Sequence, residues 1–210
     1  MTAVDSAVLE VKVKDLYRHV AEEPQRPYHF EMGRQLADRL GYPADLLDQV
    51  PVEAVESFAG VAYFFDLAAL RPGEDVIDLG SGSGMDAFCA SLQTGPMGRV
   101  ISIDFTLEQL RKARRPVGLG LGTGPRRGPT DDADLRASCI GGAAQQDAYR
   151  HMIEDAGLKV LRVRQNPYAF LSSRARGASA RYGVRSISLL AAKPGPWTTS
   201  SADRPPRRQP

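Results

Sequence analysis

The residues best placed to do chemistry are three glycines and two aspartates. Gly80, Gly82 and Gly84 alternate with Ser81 and Ser83 in an unbroken small-residue turn, with Asp78 two positions before it and Asp104 24 positions beyond Gly80. Backbone N–H groups in such a turn, together with the N-terminus of a following helix, gather around a ligand's polar groups. Gly82, Gly84 and Ala87 satisfy G-x-G-x-x-A, a dinucleotide pattern. A carboxylate at Asp78, however, would face an approaching pyrophosphate and repel it. The same carboxylate suits an ammonium group, such as that of the methionine moiety of S-adenosyl-L-methionine. Asp104 is placed to accept hydrogen bonds from both ribose hydroxyls, with Phe105 beside it in the cofactor-binding set. S-adenosylmethionine is therefore the favoured ligand. A nicotinamide or flavin cofactor, and an acid-capped helix with no ligand, stay open.

The remaining reactive side chains are few. Cys89 and Cys139 are too few for a disulfide framework, so a reducing, cytoplasmic setting is expected. Cys89 falls five residues past Gly84, near Phe88 and Leu92, and reads as a buried structural thiol. His19, His29 and His151 lack metal-ligand spacing, so no zinc site is expected. Tyr28 and His29 could be brought near a cofactor by the N-terminal segment or simply pack. Tyr63, Phe64 and Phe65 read as core ahead of a substrate box.

These residues need elements to hold them. DVIDLG (75–80), a short apolar run with β-branched residues after the turn at Pro72 and Gly73, predicts a buried strand. MDAFCASLQT (85–94) predicts a helix with Phe88 and Leu92 on one side. RVISID (99–104) predicts a second strand, and TLEQLRKARR (106–115) a helix opened by Thr106. Strand, helix, strand, helix is the pattern of a parallel α/β sheet. Upstream, residues 8–20 predict an amphipathic helix, and residues 31–41 a helix carrying Met32, Leu36 and Leu40 and closed by Gly41. Residues 43–56 predict two short helical turns, each opened by a proline.

Beyond residue 115 the periodicity stops. Residues 116–130 hold five glycines and three prolines in fifteen positions, the composition of a linker. QQDAYRHMIEDAG (145–157) predicts a helix with Tyr149, Ile153 and Ala156 on one face and Gly157 at its end. LKVLRVR (158–164) and VRSISLLAA (184–192) predict strands, with SSRARGASARYG (172–183) a polar loop between them. The Pro-rich stretch 194–210 predicts a disordered tail. The chain thus divides into an N-terminal helical cap (1–70), a ligand-binding strand–helix–strand–helix unit (71–115), a Gly/Pro linker (116–130), a C-terminal part (131–193) and the tail.

With 210 residues, 42% hydrophobic and 25% charged, the chain is of ordinary globular composition, which excludes wholesale disorder, collagen and coiled coil. No apolar run reaches the ~18–20 residues that span a bilayer, and the first fifteen residues are too charged for a signal peptide, so no membrane partner is expected. The net charge of +2 hides a split: residues 1–110 hold 18 acidic and 8 basic side chains, residues 111–210 hold 7 and 19. The basic residues are spaced out without interleaved aromatics, which argues against nucleic acid as the partner. Attraction between the two halves is the simpler reading.

Val76 to Gly84 with the acid of ISID resembles the first two motifs of class I S-adenosylmethionine-dependent methyltransferases. LRPGEDVIDLGSGSGMDAF (70–88), the helical N-terminus and ADLRASCIGGAAQQDAYRHMIEDAGL (133–158) resemble the arsenite methyltransferase branch of that family. The resemblance implies a Rossmann-like α/β fold and S-adenosyl-L-methionine held by Asp78, Gly80, Ser81, Gly82, Ser83, Gly84, Asp104 and Phe105. It also implies Cys139, in SCIGGA, as the catalytic residue and as a ligand of trivalent arsenic, soft thiolate to soft centre.

Two departures stand out. The family's upstream cysteine would fall within residues 57–66, and none is there; one thiolate cannot chelate arsenic, so glutathione or another thiol would complete the coordination. Only 38 residues separate Asp104 from Ala143, where the fold places its third to fifth strands, although each crossover needs about 30 residues. The resemblance therefore implies an internally shortened methyltransferase fold with central strands missing. The first strand then has an exposed edge that invites association between copies. A non-catalytic remnant acting as a binding or oligomerisation module is the alternative function.

Overall fold

In the computed structural model, residues 6–114 and 144–194 are described. The 116–130 linker, Cys139 with its SCIGGA segment, and the tail from 195 onward lie outside the described residues.

The N-terminal segment is helical, as its pattern predicts: α1 (Ser6–Glu22), α2 (Gly33–Leu40), α3 (Ala44–Leu47), α4 (Val52–Glu56) and α5 (Phe65–Ala68). Gly41 ends α2 in the left-handed region (φ 94°), and the Tyr42 N–H returns to the Ala37 carbonyl at 3.1 Å, closing the helix end with a Schellman-type bond. Pro43 and Pro51 stand at the N-caps of α3 and α4, where a missing N–H costs nothing. Leu36, Leu47, Val55 and Phe58 from this segment meet Met85, Cys89 and Ala90 in one buried cluster.

The α/β unit follows: β1 (Asp75–Leu79), α6 (Met85–Thr94), β2 (Arg99–Ile103) and α7 (Leu107–Arg114). The two strands pair in parallel, in register from Asp75↔Arg99 to Leu79↔Ile103. Val76 and Val100 lean on the core. The expectation of a buried strand fails on the other face: Ile77, Leu79, Ile101 and Ile103 are 61%, 76%, 47% and 47% exposed. An apolar run is buried on both faces only when layers cover both, and among the described residues only the α6 side is covered. Within α6 the buried residues are Met85, Ala87, Cys89, Ala90 and Thr94; Phe88 packs against the core, while Leu92 lies exposed.

The C-terminal part comprises α8 (Gln146–Asp155), β3 (Lys159–Gln165), α9 (Ser173–Tyr182) and β4 (Ile187–Ala192). β3 and β4 pair antiparallel in a separate two-stranded sheet. Residues 173–182, expected as part of a loop, are helical. The Ser172 side chain accepts the Ala175 N–H as N-cap, and Gly183 closes the helix at φ 66°, so its ends are specified locally despite an arginine-rich sequence without apolar stripe. The architecture is a Rossmann-like α/β arrangement with a reduced sheet.

Candidate functional site

The turn between β1 and α6 brings together most of the residues singled out above. Gly80, Gly82 and Gly84 have φ of 79°, 53° and 88°, a conformation that side-chain-bearing residues avoid. At Gly84 space is short as well: an added Cβ would come within 3.2 Å of the Ala113 Cβ on α7.

Asp104, just past β2, accepts the Gly82 N–H at 2.9 Å and the Thr106 N–H at 2.7 Å. One carboxylate therefore ties the glycine turn to the start of α7. Each carboxylate oxygen keeps a second lone pair. Phe105, next in the chain, is 49% exposed at the same edge. The two serines of the turn point inward. Ser83 is buried and its hydroxyl donates to the Ala54 carbonyl at 2.8 Å, whereas the Ser81 hydroxyl is buried without a partner.

Asp78 is the least satisfied group. Its Oδ2 is buried with no hydrogen-bond partner. Loss of solvation, followed by the nearby charge of Asp104, pushes its carboxyl above the usual range. An unpaired buried carboxylate is costly, and a cation donating a hydrogen bond there removes the cost.

A second carboxyl, which sequence reasoning passed over, lies in the first turn of α6. Asp86 Oδ1 accepts from the Tyr42 hydroxyl at 2.5 Å, and that hydroxyl also reaches the Ala62 carbonyl at 3.2 Å. Burial raises the Asp86 carboxyl to about 7 against the lowering effect of the Tyr42 bond, and Asp78 raises it further. Tyr42 itself is 4% exposed, edge-on to Phe58, Tyr63 and Phe65, and its own pKa is raised, by burial first and then by Asp86. The pair thus links the N-terminal helices to the helix behind the glycine turn. Its sequence signal was faint: one acid within an otherwise apolar helix start.

The other candidates are structural. Cys89 is fully buried and burial pushes its thiol to about 12, far from a thiolate. Phe65 lies in the core and Tyr63 packs against it, while Phe64 is 38% exposed. The Tyr28 hydroxyl donates to the Glu23 carbonyl, and the His29 carbonyl accepts the Leu171 N–H. Among the described residues no group of three His, Cys, Asp or Glu could hold a metal ion, and no helix is long and apolar enough to cross a membrane.

Comparison with known proteins agrees with this geometry. Residues 70–117, which contain the turn and both aspartates, match the methyltransferase domain family. The chain is 43% identical over 81 residues to an arsenite methyltransferase of Halobacterium salinarum, covering 39% of this chain and 20% of that protein. It is 31% identical over 128 residues to an uncharacterized 37.1 kDa protein in transposon TN4556 of Streptomyces fradiae, covering 52% of this chain and 36% of that protein. The chain thus spans between a fifth and just over a third of the length of these curated relatives. No solved structure matches it.

Proposed function

From the premise that this is a class I methyltransferase-type chain, similar in its matched part to arsenite methyltransferases, we propose that it binds S-adenosyl-L-methionine at the glycine turn and methylates thiol-bound trivalent arsenic. The observation that carries the first half is the buried, partnerless Oδ2 of Asp78 beside three left-handed glycines. An orphaned anion next to a concave backbone fits a ligand that brings an ammonium group. When bound, S-adenosylmethionine supplies an electrophilic methyl group on a sulfonium.

The chain's own residues bind and orient. Asp78 accepts from the ammonium. Asp104, fixed by the Gly82 and Thr106 N–H groups, offers its spare lone pairs to the ribose hydroxyls. Phe105 lies at the same edge and offers apolar contact. Ser83 braces the turn from behind through the Ala54 carbonyl. Cys139 holds arsenic as thiolate, with glutathione or another thiol completing the coordination, so that the arsenic lone pair meets the methyl in line. Cys89 is too deeply protonated to share that task.

Calorimetric titration of the folded protein with S-adenosylmethionine tests the reading. Saturable binding at micromolar levels is expected, abolished in Asp78→Ala and weakened in Asp104→Ala. No binding by a cooperatively folding protein overturns the enzyme reading. Methylation of arsenite in the presence of glutathione, lost in Cys139→Ser, then tests the acceptor. The second reading, a non-catalytic remnant acting as an association module, is favoured by one specific feature, the uncovered face of the β1–β2 sheet.

A further inference from the structure

Asp86 and Tyr42 enter no step of the chemistry above, yet they stand against its site. Asp86 lies in the first turn of α6, behind the glycine turn, and Asp78 precedes that turn on β1. The Tyr42 hydroxyl meets two acceptors at once, Asp86 Oδ1 at 2.5 Å and the Ala62 carbonyl at 3.2 Å. A phenol owns one hydrogen. Where Asp86 is a carboxylate, that hydrogen serves Asp86 or Ala62, and the other acceptor goes without. Where Asp86 carries a proton, its carboxyl donates to the phenol oxygen and the phenol donates to the Ala62 carbonyl. Both contacts are then filled. Tyr42 and Ala62 are buried, so an unmade bond there is costly.

The surroundings supply no counter-charge. Facing Asp86 are Tyr42 from the chain after α2, Asp78 from β1 and, on its own helix, Cys89. Among the described residues no lysine, arginine or histidine acts on it. Asp104, past β2, acts on Asp78 in turn. Carboxyls gathered without a cation do not all ionise freely, and the one with the better-placed acceptor keeps the proton. Asp78 Oδ2 has no partner to receive a proton, whereas Asp86 has the chain through Tyr42 to Ala62. Burial, and after it the charge of Asp78, raise the Asp86 carboxyl to about 7 against the lowering effect of Tyr42. A change of neighbouring charge therefore moves its proton near neutral pH.

We infer that Asp86 holds the proton of the empty site and releases it when an ammonium group neutralises Asp78. The bond broken is the O–H of the Asp86 carboxyl. The proton passes to solvent, to which Asp86 keeps partial access, and the Tyr42 hydrogen turns from the Ala62 carbonyl to the new carboxylate. One positive charge enters the site as another leaves. Asp86 is thus a positioning residue that acts through Asp78. The inference rests on the reading of the glycine turn as a site for a ligand bearing an ammonium group.

Calorimetric titration with S-adenosylmethionine at about pH 7, in buffers of low and high ionisation enthalpy, counts the protons exchanged. Net release of a few tenths of a proton is expected for wild type and none for Asp86→Asn. The sign separates protein from ligand, because an α-amino group of pKa about 7.7–8.0 takes protons up when bound as ammonium. Wild-type affinity should also tighten severalfold between about pH 6 and pH 7.5, and that of the variant should not. Should the variant fail to fold, NMR of the wild type follows the Asp86 carboxyl carbon, assigned through its backbone. Its midpoint is expected near 7 in the empty protein and lower with saturating S-adenosylmethionine. Binding without proton release, equal release in both proteins, or an Asp86 midpoint near 4 overturns the inference and leaves the cofactor reading standing. A folded protein that binds no S-adenosylmethionine at any pH overturns the cofactor reading and the inference with it.

Discussion

The N-terminal and C-terminal parts of this molecule are held together by different forces. Residues 36–90 supply every fully packed member of the central core, drawn from α2, α3, α4 and α6 and the chain between them, and their contacts interlock over long sequence distances. Among the described residues, the C-terminal hairpin and its helices contribute only Tyr168 at the margin of that core, and α8 adds nothing buried. What fixes the hairpin is polar: the arginine at 164, the Asn166 and Ser188 side-chain pair at 3.1 Å, and the serine at 186. Apolar burial scales with area and resists salt, whereas exposed ion pairs contribute little and are screened. The N-terminal part is therefore the stable unit, and the C-terminal part opens first.

The largest test of that contrast is Leu36→Ala, at a position with no exposure. It should cost about 2–5 kcal/mol in urea unfolding. A cost below 1 kcal/mol would mean the core is not where stability resides. Asp86→Asn comes next, because it keeps the acceptor for the Tyr42 hydroxyl while removing the charge. A carboxyl raised from 3.8 to about 7 is protonated in both folded and unfolded chains at low pH, and above about 7 leaves a buried charge in the native state. Native stability is lost as pH rises through that window. The variant should match wild type near pH 4 and gain up to a few kcal/mol at pH 8. Melting curves at both pH values check it, and equal gains at both would exclude titration of Asp86.

Arg164→Ala should leave global unfolding within about 1 kcal/mol of wild type, since both partners of the pair are partly exposed. Amide exchange in 159–192 should nevertheless quicken while 36–90 stays protected. Uniform acceleration across both regions would erase the distinction between them. Met152→Ala, at an exposed site, should change stability by no more than about 0.5 kcal/mol in the same urea unfolding.

Legibility in the sequence followed the range of the interactions involved. The glycine turn, β1, β2, the proline-opened helices and the Gly41 stop are encoded within a few residues of themselves, and local chemistry predicted them. Helix α9 was masked by its composition: serines, arginines and a central glycine read as loop, although the Ser172 and Gly183 caps were in plain view. The exposure of Ile77 and Leu79 depends on what does not lie above them, which no local pattern encodes. At the site, Asp78 and Asp104 were legible from spacing, but the inward turn of Asp104 to the Gly82 N–H was not. The Tyr42–Asp86 bond spans 44 positions and left no repeat or motif to follow.

The end of α1 carries one more consequence. Its last free carbonyls are met by side chains from other elements: the Ser57 hydroxyl on Val20 at 2.9 Å and the Lys112 ammonium on Ala21 at 3.0 Å, with the Gln109 amide on Tyr17 at 3.0 Å. Lys112 is also paired with Glu56 at 2.6 Å, so a buried cation is balanced from both sides. A protease that clipped the chain after Glu22 would remove more than a surface helix. It would leave the Gln109 amide and the Ser57 hydroxyl without these acceptors and Lys112 with Glu56 alone, beside the Asp104 end of the glycine turn. Trimming the first 22 residues should thus be felt at the glycine turn.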